Sequence, residues 1–144
     1  MILKDEEETR ALGAALARAV RPGDVIALSG GLGAGKSMLA RGLLAALGHE
    51  GDVPSPSFSI VQPYEALDPP VWHVDLYRIE DASEMQELGL EAASDCVLIV
   101  EWPERAGERY WPDALSLRLD FAADGARSLT AQVPPAWEGR WPPQ

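Results

Sequence analysis

Cysteine is nearly missing from this chain: Cys96 stands alone, so no internal disulfide can form. It opens the apolar run CVLIV, where a reduced thiol packs as a small hydrophobe rather than serving as a nucleophile. Cations are scarce too, with 12 Lys and Arg against 23 Asp and Glu and a formal net charge of -11. Such a surface repels nucleic-acid phosphates, whose binding draws its affinity from clustered Lys and Arg. DNA is excluded as a partner on this ground, and any link to tRNA is expected to be indirect. No apolar run approaches the roughly 18 residues of a membrane span, and no basic flank with an apolar core marks an export signal. The expectation is a cytoplasmic protein without a membrane partner. At 144 residues it is one domain that buries about two-thirds of the surface its unfolded chain exposes.

What the chain does have is the stretch VIALSGGLGAGKSMLAR, Val25 to Arg41, which reads as a buried strand, a glycine-rich turn and a helix in immediate succession. Gly30, Gly35, Lys36 and Ser37 fit the P-loop pattern G-x-x-x-x-G-K-[ST]. A chance match in a chain this size has a frequency of roughly one percent. Backbone N–H groups of Gly33, Ala34, Gly35, Lys36, Ser37 and Met38 are expected to converge on phosphate oxygens, at the positive end of the following helix. Lys36 is expected to reach the β- and γ-phosphates and Ser37 to offer its hydroxyl to Mg2+. A dinucleotide fingerprint is disfavoured, because Lys36 occupies the place of the third glycine in G-x-G-x-x-G.

Elsewhere, periodicity predicts a helix over Asp5 to Val20, with its acidic first turn complementing the helix dipole. The P-loop helix carries Leu39, Leu43, Leu44 and Leu47, and Gly48 is placed to close it. His49 beyond it favours the helix's negative end rather than catalysis. Val53 to Phe58 carries two prolines and is expected to be an extended loop. Phe58 to Tyr64 and Val71 to Tyr77 read as a hairpin, in which His73 and Asp75 share one face. Ser83 is expected to cap a short helix through Leu90, with Gln86 completing a capping box. Cys96 to Val100 is a second fully apolar strand that delivers Glu101 to the carboxyl edge of a parallel sheet, in Walker-B-like fashion. Leu115 to Phe121 and Ser128 to Val133 flank Asp124-Gly125, a type I′ hairpin signal. The chain is divided into a P-loop domain over 1–133 and a loose Pro- and Trp-rich tail over 134–144.

Four blocks fall in one order: GLGAGKS from Gly31, SPSF from Ser55, HVDLYR from His73 and VEWPE from Val100. Their order resembles the TsaE (formerly YjeE) family of bacterial P-loop ATPases, over most of the chain from Thr9 to about Arg127. The resemblance implies an α/β fold whose sheet is parallel around the P-loop with antiparallel edge strands, flanked by helices. It implies ATP and Mg2+ as cofactors, and a role in forming threonylcarbamoyladenosine at position 37 of tRNAs reading ANN codons. The implied partners are TsaD and TsaB, with TsaC supplying the threonylcarbamoyl adenylate. Carried over by position, Lys36 matches the phosphate lysine, Ser37 the Mg2+ hydroxyl, Glu101 the acidic metal partner and Asp75 the aspartate of the HxDLYR block. Asp75 is cast as positioning or activating the attacking water, an ion pair with Arg78 being its structural alternative. Ser57 stands where the family usually has threonine, and a loop hydroxyl there is assigned to sensing the γ-phosphate or metal. Gly31 and Met38 replace the usual Asp and Thr. Family likeness places the adenine near Glu6 and Gly125, and Trp102 is read equally as partner contact or core.

The P-loop by itself does not separate transfer of phosphate to water from transfer to a small molecule. A kinase is disfavoured because Arg78, Arg105 and Arg109 are scattered outside any lid, and a GTP switch because no N-K-x-D stretch occurs. A non-hydrolysing interaction module leaves Asp75 and Glu101 unexplained.

Overall fold

The computed structural model of the protein describes residues 1–51, 53, 60–107 and 110–143. In chain order the elements are β1 (Ile2–Leu3), α1 (Glu6–Ala17), β2 (Val25–Gly30), α2 (Lys36–Ala46), β3 (Val61–Tyr64), β4 (Val71–Asp75), β5 (Val97–Glu101), β6 (Leu115–Phe121) and β7 (Arg127–Gln132). Short 3-10 turns fill several of the connections. The strands form one seven-stranded sheet in the order β1-β7-β6-β2-β5-β4-β3.

β2 lies mid-sheet because its continuous apolar run suits burial on both faces. It pairs in parallel with β5 on one side and β6 on the other. β5, likewise apolar, is buried at all five residues and is parallel to β4 on its far side. Antiparallel pairs finish both edges, β4 with β3 on one side and β6 with β7 and β7 with β1 on the other. Pro63, which has no N–H to give a second neighbour, sits in the outermost strand β3. Register then decides the chemistry of the sheet's carboxyl edge. Leu28 pairs with Glu101, and Glu101 with Asp75, so the two carboxylates stand side by side, one and two strands away from the P-loop strand.

α1 and α2 pack on each other and bury Leu12, Leu16, Leu39, Leu43 and Leu44 in the same core as Ile26, Leu28, Ile99 and Leu117. The two helices touch backbone to backbone. A Cβ added at Gly13 falls 2.1 Å from the Leu39 carbonyl oxygen, and one at Gly42 falls 2.1 Å from that of Arg10. Only glycine permits this approach, which brings the start of α1 against the P-loop. A second core on the other face joins Val74, Leu98 and Val100 to Leu76, Ile79, Met85 and Leu90.

Several local expectations are corrected. α1 ends at Ala17 rather than Val20, with Asp5 as its N-cap accepting from the Glu8 N–H. The turn over 82–88 is a 3-10 helix capped by Asp81, with Glu84 completing the capping box, in place of Ser83 and Gln86. Asp81 and Glu84 have the same spacing two residues upstream, and a carboxylate is the stronger acceptor. β4 stops at Asp75, so Tyr77 leaves the sheet. β7 runs from Arg127 to Gln132. The 134–144 segment is not loose over its described residues: Trp137 is fully buried in the α1–α2 core. Arg140 holds it there, pairing with Asp24 at 2.7 Å and lying 4.1 Å from the Trp137 ring centroid. Burying a tryptophan outweighs the ordering cost of a short proline-rich segment. The predicted loop over 53–58 and the start of the strand at Phe58 fall largely outside the described residues.

Candidate functional site

The two helix starts differ in a way that locates an anion site. α1 is satisfied internally, by the Asp5 cap and by Glu6, Glu7 and Glu8 in its first turn. α2 has neither a side-chain cap nor an acid in its first turn, because its N-cap is Gly35 in the left-handed region at φ 111°. The first amides of α2 therefore lack a local acceptor, and with the dipole they favour a negative ligand.

Lys36 stands beside those amides and is only 4% exposed. Its ammonium donates to the carbonyls of Gly30 at 2.7 Å and Gly31 at 2.9 Å. It also lies 4.5 Å from the Trp102 ring centroid. Two of its three donors are thus used and one remains for an incoming ligand. Burial lowers its pKa, while the nearby Glu101, Asp75 and Glu104 carboxylates pull it back up. Trp102 owes its place to a backbone in the left-handed region, φ 59°. For a bulky residue that conformation costs roughly 1–3 kcal/mol and signals a functional constraint. The indole also packs on Tyr77, with ring centroids 5.0 Å apart.

Across from α2, Glu101 is 3% exposed. Its Oε1 lies 3.4 Å from the Ser37 hydroxyl, and its Oε2 lies 2.6 Å from His73 Nε2. Asp75, half-buried, accepts from the Tyr77 N–H at 2.9 Å. Burial raises the pKa of Asp75, the Tyr77 hydrogen bond lowers it, and the Glu101 charge raises it further.

These groups open on a cleft of about 430 Å³ lined by Glu6, Gly33, Gly35, Lys36, Ser37, Met38, Asp75, Glu101 and Gly125. Nearly all the sequence-predicted site residues thus converge. Ala34 is 1% exposed and faces the core, leaving its backbone as its contribution. Ser57 lies outside the described residues. Thr9, Leu32, Arg41, Tyr77, Trp102 and Arg127 also line the cleft, and among these the sequence assigns a role to Trp102 alone, as partner contact or core.

Arg127 is the informative omission. Its guanidinium donates to the carbonyls of Ala34 at 3.1 Å and Gly33 at 3.2 Å, and also to Gly125 at 2.9 Å and Ala126 at 3.1 Å. Its flat face lies 4.5 Å from the Phe121 ring centroid. It therefore clasps the P-loop to the β6–β7 turn. Arg127→Ala is expected to lower nucleotide affinity about tenfold, equally with and without Mg2+, because charged hydrogen bonds of this kind contribute about 1.5–3 kcal/mol, less when partly solvated. Arg127→Lys should not restore it, since one ammonium cannot fork across four carbonyls. Calorimetric titration with ADP checks both.

A family model described as "Threonylcarbamoyl adenosine biosynthesis protein TsaE" matches residues 3–129. The chain belongs to the TsaE family. The "tRNA threonylcarbamoyladenosine biosynthesis protein TsaE" of Streptomyces coelicolor is 45% identical over 129 residues, 84% of this chain and 87% of that one. The protein of the same name from Bacillus subtilis is 37% identical over 126 residues, 86% of this chain and 78% of its own. The crystal structure of YdiB from Bacillus subtilis aligns with a TM-score of 0.77 at 31% identity, over 91% of this chain and 82% of that one. The mixed sheet with its strand, glycine loop and helix is thus the P-loop NTPase-like fold of the TsaE family.

The donor set of this TsaE-family site suits Mg2+ in a particular way. Among the described residues no group of three or more His, Cys, Asp or Glu could hold a metal ion by itself. The Ser37 hydroxyl and Glu101 Oε1 are both hard oxygens and lie 3.4 Å apart, against about 2.9 Å for adjacent ligands on a Mg2+ octahedron, so a small inward adjustment brings them to one metal. Mg2+ characteristically takes one or two protein oxygens and completes its shell with water and substrate phosphates. The residues therefore fit a metal that arrives with a nucleotide.

Proposed function

We propose that the protein binds ATP with Mg2+ and hydrolyses it in support of threonylcarbamoyladenosine formation at position 37 of tRNAs reading ANN codons, acting with TsaD and TsaB. The observation that carries this proposal is the uncapped start of α2, with Lys36 and Ser37 in its first turn and Glu101 and Asp75 facing it from adjacent strands. The amides of the P-loop and the free donor of Lys36 bind the phosphates. Ser37 and Glu101 hold Mg2+, which when bound neutralises charge developing on the transferred phosphoryl group. Asp75 opens on the same cleft as Lys36 and Ser37 and takes or orients the proton of an attacking water, and its burial-raised pKa makes it more basic than an ordinary Asp. The adenine is assigned to the end of the cleft between Glu6 and Gly125, and Ser57 keeps its assignment to sensing the γ-phosphate or metal.

Phosphate release from ATP, measured with and without TsaB and TsaD, tests the activity. Mg2+-dependent release that rises with the partners is expected; none under either condition contradicts the assignment.

The link to tRNA runs through those partners. With a net charge of -11, the isolated protein is expected to bind tRNA more weakly than about 10 µM at physiological salt. A submicromolar gel shift by the protein alone refutes this. No helix among the described residues is long and apolar enough to cross a membrane. The cytoplasm is proposed as the working compartment because tRNA maturation takes place there.

A further inference from the structure

His73 is a polar residue where the strand calls for an apolar one. It lies in β4 between Trp72 and Val74, 1% exposed, opposite Ile99 of β5 on one side and Gln62 of β3 on the other. Its Nε2 makes a 2.6 Å contact with Glu101 Oε2, a diagonal cross-strand pair, since Glu101 itself is registered with Asp75. Its other ring nitrogen, Nδ1, is buried with no hydrogen-bond partner among the described residues. An imidazole kept only for stability would be a poor choice, because a buried ring with one unpartnered nitrogen is less favourable than an aliphatic side chain of similar volume.

We propose that His73 is a positioning residue that fixes the Glu101 carboxylate so that Oε1 faces the metal position beside Ser37. The inference rests on the Mg2+-nucleotide function proposed above. The two oxygens of Glu101 are already divided in this way: Oε2 is taken by His73 and Oε1 is left toward the Ser37 hydroxyl. An unpartnered lone pair at Nδ1 is tolerated more cheaply than an unpartnered N–H, which assigns the proton to Nε2 and makes His73 the donor. Asp75 is oriented separately, by the Tyr77 N–H. Neighbouring carboxylates thus have independent supports and can serve different tasks.

The test is ADP binding to the full chain by calorimetry, with Mg2+ and with a chelator, for the parent, His73→Leu, His73→Gln and His73→Asn. The Gln amide nitrogen reaches the place of Nε2, whereas the shorter Asn places its nitrogen near Nδ1 and cannot reach Glu101. His73→Leu and His73→Asn are expected to lose about 10- to 100-fold in Mg2+-dependent ADP affinity, the usual loss when a support of a metal ligand is removed. Metal-free ADP affinity should stay within about threefold of the parent, and His73→Gln should recover most of the Mg2+ effect. Equal losses with and without Mg2+, or Gln and Asn variants with the same Mg2+ dependence, overturn the inference. The Gln and Asn pair decides it even if the Leu variant does not fold. If the variants match a parent whose ADP binding responds to Mg2+, only the role of His73 fails; if parent binding ignores Mg2+, the metal assignment of Glu101 fails first and takes this inference with it.

Discussion

Asp75→Asn is expected to bind ATP as tightly as the parent but to hydrolyse it about 10²- to 10⁴-fold more slowly, the range for removal of a general base or water-positioning group. The amide keeps the shape of the side chain, and its oxygen can still accept from the Tyr77 N–H. What it loses is charge and basicity. Phosphate release in the presence of TsaB and TsaD reads the loss, and calorimetry reads the retained affinity. Turnover within about threefold of the parent, with normal binding, would make Asp75 a structural carboxylate.

The same substitution has a signature in stability. Burial raises the folded-state pKa of Asp75 above its ordinary value, so the folded chain holds that proton more tightly than the unfolded one. Its contribution to stability is then present below the ordinary carboxylate range and is lost as pH rises through the raised value. Asp75→Asn removes the burden of a buried charge at neutral pH. Its Tm should exceed that of the parent at about pH 7.5, and the difference should shrink toward about pH 3, below the ordinary Asp range, where the carboxyl is largely protonated in both states. Slower turnover together with higher stability is the pattern of a group kept for chemistry.

Lys36→Ala is expected to weaken ATP binding about 10²- to 10³-fold, because truncating a buried cation that meets an anion costs about 2–5 kcal/mol. The backbone amides around Gly33 to Ser37 remain, so some affinity survives. The protein should remain folded, with a Tm within about 5 °C of the parent. The two hydrogen bonds lost to Gly30 and Gly31 are offset by relief from burying an ammonium whose pKa is already depressed. Unchanged ATP affinity in calorimetry contradicts the P-loop assignment.

The residues that were legible in the sequence are those whose chemistry is local. The P-loop is a contiguous motif between a continuous apolar strand and a helix, and Glu101 ends an equally apolar run. The Asp124-Gly125 signal is present in the backbone, with φ 57° and 78° at the two residues. Gly48 closes α2 at φ 110°, with the His49 N–H returning to the Leu44 carbonyl. The His49 ring packs edge-on against Tyr64 instead of taking part in the site.

What was not legible depends on strand order, which does not follow chain order here. His73 reaches Glu101 only because β4 lies next to β5, and Arg127 reaches the P-loop only because β6 and β7 follow in order on the other side of β2. Neither residue belongs to a local pattern that names its partner. The two-residue strand β1 escaped for another reason: its pairing with β7 involves only Ile2 and Leu3, too short for any periodicity to register. The C-terminal segment reads as loose by its prolines, yet Arg140 and Asp24, 116 positions apart, fasten it. Such a contact gives no local signal at either end.

The most direct test is an NMR titration of the full-length, isotopically labelled protein with ATP and Mg2+. Saturable shifts of the Gly33, Gly35, Lys36 and Ser37 amides are expected, with the Glu101 amide following the same curve and the response at Glu101 requiring Mg2+. Absence of a saturable response at Gly33 to Ser37, or saturation confined to residues away from that loop, would contradict the proposed ATP site.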